Sequence, residues 1–169
     1  MPNDAQTLNV AGIEHAGRGD YVAALDCFHR AIICSPQLKD AYNNVSLVHA
    51  LQGSAELSIE FANKALALDP DFAKAHNNLG KALSMQGRYA EATTAFRKAL
   101  AIEPSLASAN QNLCVALFRT NRFLAARDHA LTVLTLDPAL GEAQLVLAES
   151  LRQLRMYREA YDIYPPASE

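Results

Sequence analysis

The sequence predicts an all-α protein, an array of antiparallel helix pairs, and three observations predict it. A pattern of small and bulky residues returns at a constant 34-residue offset without insertions. Glycine and proline punctuate it at fixed places. Between them, apolar residues recur at helical spacing, as in AHNNLGKALSMQGRYAEATTAFRKALAIEP, residues 75–104.

The period divides the chain into a tail 1–4, repeats 5–38, 39–72, 73–106 and 107–140, a shortened fifth repeat 141–164, and a tail 165–169. Numbering positions within a repeat from 1, position 8 is small in all five: Gly12, Ser46, Gly80, Cys114, Ala148. Position 20 is Ala24, Ser58, Ala92, Ala126, Ala160, and position 27 is Ala31, Ala65, Ala99, Val133. Larger residues stand at position 17 (Tyr21, Tyr89, Phe123, Tyr157) and position 24 (Phe28, Phe96, Tyr164), with Ala55, Ala62 and Ala130 as exceptions. Two helices approach closely only where small side chains meet, and bulky neighbours fill the spaces beside them.

The first helix of each repeat is expected near 6–17, 40–51, 74–85, 108–119 and 142–153. Gly19, Gly53 and Gly87 can adopt the left-handed conformation that ends it. The second helix is expected near 21–34, 55–68, 89–102, 123–136 and 157–164. Pro36, Pro70, Pro104 and Pro138 at position 32 cannot continue it. One pair cannot bury its apolar face alone, so neighbours must stack.

Residues 77–104, NNLGKALSMQGRYAEATTAFRKALAIEP, resemble a tetratricopeptide repeat (TPR), and the resemblance extends over residues 5–164. The large aromatic usual at position 4 is replaced by Leu8, Tyr42, His76, Asn110 and Gln144. The resemblance implies a right-handed superhelical solenoid of about five repeats. Its concave groove would be lined by positions 2, 5, 6, 9, 12 and 13 of the first helices.

Position 6 is Val10, Asn44, Asn78, Asn112, Val146, so three asparagines stand in register. An amide both donates and accepts, so such a ladder can hold an extended peptide backbone whatever its side chains. It resembles the asparagine ladder of O-linked N-acetylglucosamine transferases. Changing all three to Ala is expected to weaken partner binding without melting the fold. Asn43, Asn77 and Gln111 at position 5, Lys74 at position 2, Leu47, Lys81 and Val115 at position 9, and Phe118 and Arg119 complete the expected peptide-binding set. Leu51 and Met85 extend its apolar floor, or pack between neighbouring first helices. Adaptors that clamp a C-terminal carboxylate present a different set of lysines and asparagines. The best frame here, Asn9, Ile13, Asn44, Lys74 and Asn78, matches at two places, which argues against that mode.

The net charge of −3 gives no electrostatic reason to expect nucleic acid. Residues 1–72 hold four Lys/Arg against nine Asp/Glu and residues 73–169 eleven against nine, a small gradient usual for a solvated surface. No apolar run reaches membrane-spanning length, and MPNDAQTLNV is not a secretory signal, so a cytoplasmic location is expected. Three cysteines, Cys27, Cys34 and Cys114, argue against a disulfide framework. His15 and His49 share position 11 and are read as packing residues, not metal ligands. No phosphate loop, zinc motif or nucleophile elbow is present, so neither a cofactor nor catalysis is expected. Partners are expected to be proteins or peptides. The shortened fifth repeat is expected to leave Leu147, Leu151 and Tyr161 incompletely covered. Three outcomes are expected to follow: continuation into a longer protein, with this chain the substrate-recognition arm of an enzyme such as a glycosyltransferase; cover by another chain, as in homo-oligomers through the end repeats; or a frayed last helix.

Overall fold

The computed structural model describes residues 4–163, apart from the side chains of Tyr161 and Asp162. Ten α-helices occupy the described residues: α1 Ala5–Gly17, α2 Tyr21–Cys34, α3 Lys39–Leu51, α4 Ala55–Leu68, α5 Ala73–Met85, α6 Tyr89–Ile102, α7 Ala107–Arg119, α8 Phe123–Leu136, α9 Gly141–Gln153 and α10 Tyr157–Ile163. The first helices of the repeats start one residue earlier than expected, and α2, α4, α6 and α8 match their expected bounds. Tyr164, placed by sequence in the last helix, lies outside the described residues. The chain forms two compact units, Met1–Gly87 with α1–α5 and Arg88–Glu169 with α6–α10.

The turn inside each repeat is set by one left-handed residue at position 15. Gly19, Gly53 and Gly87 have φ of 78°, 81° and 74°, and Asn121 and Arg155 take 58° and 61° at the same place. Glycine adopts this region freely and asparagine tolerates it, whereas arginine is held there against its preference. Local capping adds to the first repeat: the Asp4 carboxylate accepts from Thr7 N–H at 2.7 Å and Asp20 from Ala23 N–H at 3.1 Å.

Small columns make the helix contacts. Ala24, Ser58, Ala92, Ala126 and Ala160 at position 20 are at most 1% exposed. In the first repeat a Cβ on Gly12 would come within 2.5 Å of Cε1 of Phe28, so the ring occupies the space the glycine leaves. Where position 8 is Ser46, position 24 shrinks to Ala62, and the Ser46 hydroxyl donates to the Ser58 carbonyl at 2.8 Å. Cys114 pairs likewise with Ala130 in the sequence, and its thiol points at the Ala126 carbonyl at 3.9 Å. Burial pushes that thiol up to about 12, aided by the Glu142 charge.

Four of the five residues at position 4, all but Leu8, share one task. Tyr42 donates to the Pro36 carbonyl at 3.2 Å, His76 Nε2 to Pro70 at 2.9 Å, Asn110 to Pro104 at 3.0 Å and Gln144 to Pro138 at 2.9 Å. Each ties the first turn of a repeat to the proline that closes the previous one.

The last repeat corrects one expectation. Leu147 and Leu151 are each only 2% exposed, because α9 packs against α7, α8 and α10. The Tyr161 side chain lies outside the described residues.

Candidate functional site

In the first compact unit, α1, α3 and α5 are the first helices of successive repeats, and α3 packs against both others. Positions 2, 6, 9 and 13 fall on one face of a helix, since steps of four, three and four residues approximate whole turns. The unit therefore carries three stripes: Gln6–Val10–Ile13–Gly17 on α1, Asp40–Asn44–Leu47–Leu51 on α3, and Lys74–Asn78–Lys81–Met85 on α5. Val10, Ile13, Leu51 and Met85 are 48%, 50%, 52% and 46% exposed, and Leu47 is half-buried. Lys74 is exposed and Lys81 half-buried. Exposed apolar side chains grouped on one face commonly mark a binding surface.

Asparagines of the predicted ladder join neighbouring helices, a structural role that the sequence did not reveal. Asn44 Nδ2 donates to Asn9 Oδ1 at 2.9 Å, across α3 to α1. Asn78 Nδ2 donates to Asn43 Oδ1 at 2.9 Å and to the Asn43 carbonyl at 3.3 Å, across α5 to α3. Position 6 of one repeat thus grips position 5 of the repeat before it. Asn9, Asn43, Asn77 and Asn78 are buried, and Asn44 is half-buried. The only sequence signal for this stitch is the recurrence of Asn at both positions, 35 residues apart.

In the second compact unit, α7 holds Gln111, Asn112, Val115 and Phe118, all half-buried, and exposed Arg119. Gln111 donates its amide to the Glu142 carboxylate on α9. Phe118 packs against Phe123 with ring centroids 5.5 Å apart, and the Arg119 guanidinium lies 5.9 Å over the Tyr89 ring. Leu145 on α9 is 49% exposed.

Among the described residues, two of the clefts lie away from these stripes. One of about 460 Å³ is lined by His29, Ile32, Tyr42, Phe61, Lys64, Ala67 and Leu68. Phe61 forms its wall, with the Lys64 ammonium 4.4 Å above its ring and His29 and His49 at 6.0 and 5.7 Å. Burial, followed by the His29 charge, lowers the His49 pKa, and its Nδ1 is buried without a hydrogen-bond partner. The other, about 370 Å³, is lined by Arg97, Leu113, Leu117, Ala125, Asp128, His129 and Thr132. His15, the other position-11 histidine, sits 3.5 Å from the Asp20 carboxylate.

Comparison with known proteins agrees with the repeat architecture. Tetratricopeptide repeat models match residues 9–71 and 73–106. The tetratricopeptide repeat protein 36 homolog of Nematostella vectensis is 45% identical over 40 residues, a match that covers 24% of this chain and 22% of that protein. PilF of Pseudomonas aeruginosa superposes with a TM-score of 0.83 at 23% identity, over 98% of this chain and 78% of that one. A Thermobaculum terrenum O-GlcNAc transferase superposes with a TM-score of 0.71 at 26% identity, over 78% of this chain and 26% of the enzyme. Repeats of this kind form protein–protein interaction scaffolds and in general do not catalyse reactions. No described helix is long and apolar enough to cross a membrane.

Proposed function

We propose that this chain, which belongs to the tetratricopeptide repeat family, is a non-catalytic scaffold whose first-helix face binds an extended peptide segment of a partner protein. The observation that carries this reading is the group of half-exposed apolar side chains on the shared face, Val10 and Ile13 on α1, Leu51 on α3 and Met85 on α5. Such side chains gain by covering, and the stitched asparagines beneath them keep the three helices in fixed register, so little ordering is required on binding. Asn43, Asn77 and Asn78 serve the site from below. Asn44, Leu47, Lys74 and Lys81 meet the ligand, and Gln111, Asn112, Val115, Phe118 and Arg119 offer the corresponding surface in the second unit. No nucleic acid is expected, the setting is cytoplasmic, and self-association would use the end repeats.

A photo-crosslinking amino acid placed at Leu47, compared with one at exposed Leu57 on α4, tests this reading in extracts of the source cells. Covalent protein adducts from position 47 and none from position 57 are expected. Adducts from position 57 alone would overturn it.

A second reading, the substrate-recognition arm of a larger enzyme such as a glycosyltransferase, is favoured by the asparagine column and by the likeness to part of an O-GlcNAc transferase. Immunoblotting of the native protein separates the two. A band near 18.4 kDa supports the scaffold, and a much larger one supports the arm.

A further inference from the structure

We infer that the face formed by α1, α3 and α5 selects partner segments that carry a large apolar residue at one end and acidic residues at the other. The inference rests on the peptide-binding reading and adds the chemistry of the ligand. Its first support is the uneven make-up of the three stripes. The α1 side presents Val10 and Ile13, each about half exposed, and the middle presents Leu47 and Leu51. The α5 side presents two ammonium groups, Lys74 and Lys81, seven residues apart on the same helical face, with Met85 beyond them.

The second support is charge balance. Neither Lys74 nor Lys81 forms an ion pair among the described residues. The acids of residues 1–72 are mostly engaged elsewhere. Glu14 pairs with Arg18, Asp26 with Arg30, Glu60 with Lys64 and Asp69 with Lys39, while Asp4 and Asp20 cap helices. Asp40 is the one acid on the three stripes, at the position of α3 that corresponds to Lys74 on α5, and no ion pair joins the two among the described residues. So residues 1–87, with six Lys/Arg against nine Asp/Glu, fold to present two lysines without ion-pair partners beside an apolar surface. Carboxylates arriving there meet positive charge at a partly desolvated edge, where pairing favours orientation and selection.

The third support is that the face does not read the backbone with Asn78. That side chain is buried and its amide nitrogen is held by Asn43, so discrimination falls to the side chains that protrude. Neighbouring helices lie about 8–10 Å apart, so crossing from α1 to α5 takes about five or six extended residues at ~3.3 Å each. The selected segment therefore has its apolar and acidic residues about that far apart.

The experiment is selection from a displayed random 12-residue peptide library against the full chain. Enriched clones are then measured by fluorescence anisotropy against the wild type, the double variant Lys74→Glu/Lys81→Glu, and Ile13→Asp. Circular dichroism checks folding, and Lys74→Gln/Lys81→Gln replaces the charge reversal if that variant unfolds. The expected result is clones with a large apolar residue and Asp/Glu about five residues apart. Their affinity should fall roughly ten-fold or more in the lysine variant and on raising salt. Clones that lose binding in Ile13→Asp but carry no acidic preference would overturn the acidic class and leave the binding face intact. Clones indifferent to both variants, or no enrichment at all, would overturn the binding face itself.

Discussion

Gly12 shows how one residue fixes the distance between two helices. The Phe28 ring sits where a Cβ would be, so Gly12→Ala must displace a fully buried aromatic side chain. Overpacking of this kind costs about 1–3 kcal/mol, which urea denaturation will read as a lower midpoint. Histidines set a second residue-scale property. Burial lowers the pKa of both His49 and His129, so each binds its proton less readily folded than unfolded. The unfolded chain then takes up more protons as pH falls through the ordinary histidine range, and stability is lost in that direction. Melting temperature should therefore drop between about pH 7.5 and about pH 5.5, and the drop should shrink in His49→Gln/His129→Gln. A pH dependence unchanged in the double variant would show that other groups carry it.

At the scale of the element, helix bounds were legible because stop signals are chemical. Glycine at position 15 and proline at position 32 mark the ends in the sequence itself. Asn121 and Arg155 turn the same corner without glycine, and only the 34-residue register placed them. The position-4 bond was hidden because four different residues, Tyr42, His76, Asn110 and Gln144, perform it with different donors. The direction of the asparagine amides was equally hidden, since an amide on a helix face can turn to a ligand or to a neighbouring helix. To the expectation that alanine at positions 44, 78 and 112 weakens partner binding without melting the fold, the structure adds a stability cost. The Asn43–Asn78 pair is buried and bonded, and removing one partner strands the other at a cost of about 1–3 kcal/mol. A double-mutant cycle with Asn43→Ala and Asn78→Ala should give a coupling energy of about 0.5–3 kcal/mol. A value near zero would mean that the two amides act separately.

For the whole molecule, repetition separates two kinds of information. The columns that build the helix contacts (Ala24, Ser58, Ala92, Ala126 and Ala160) are small and buried wherever they recur. The stripes at positions 2, 6, 9 and 13 change residue type from one repeat to the next, and a ligand can read those differences. That division made the fold legible from periodicity. The sequence left Leu51 and Met85 open between an apolar floor and packing between first helices, and their exposure of 52% and 46% favours the first. The chemistry of the ligand was not legible, because it depends on which charges are already paired. Glu14, Asp26, Glu60 and Asp69 find basic partners that the linear charge count could not assign.

The most direct test of the central claim is an amide chemical-shift titration of the isotopically labelled chain with a bound peptide or partner segment. The largest shifts are expected at Val10, Ile13, Asn44, Leu47, Leu51, Lys81 and Met85, on α1, α3 and α5. Shifts concentrated instead on the outward residues of α2 and α4, with those seven unmoved, would contradict it.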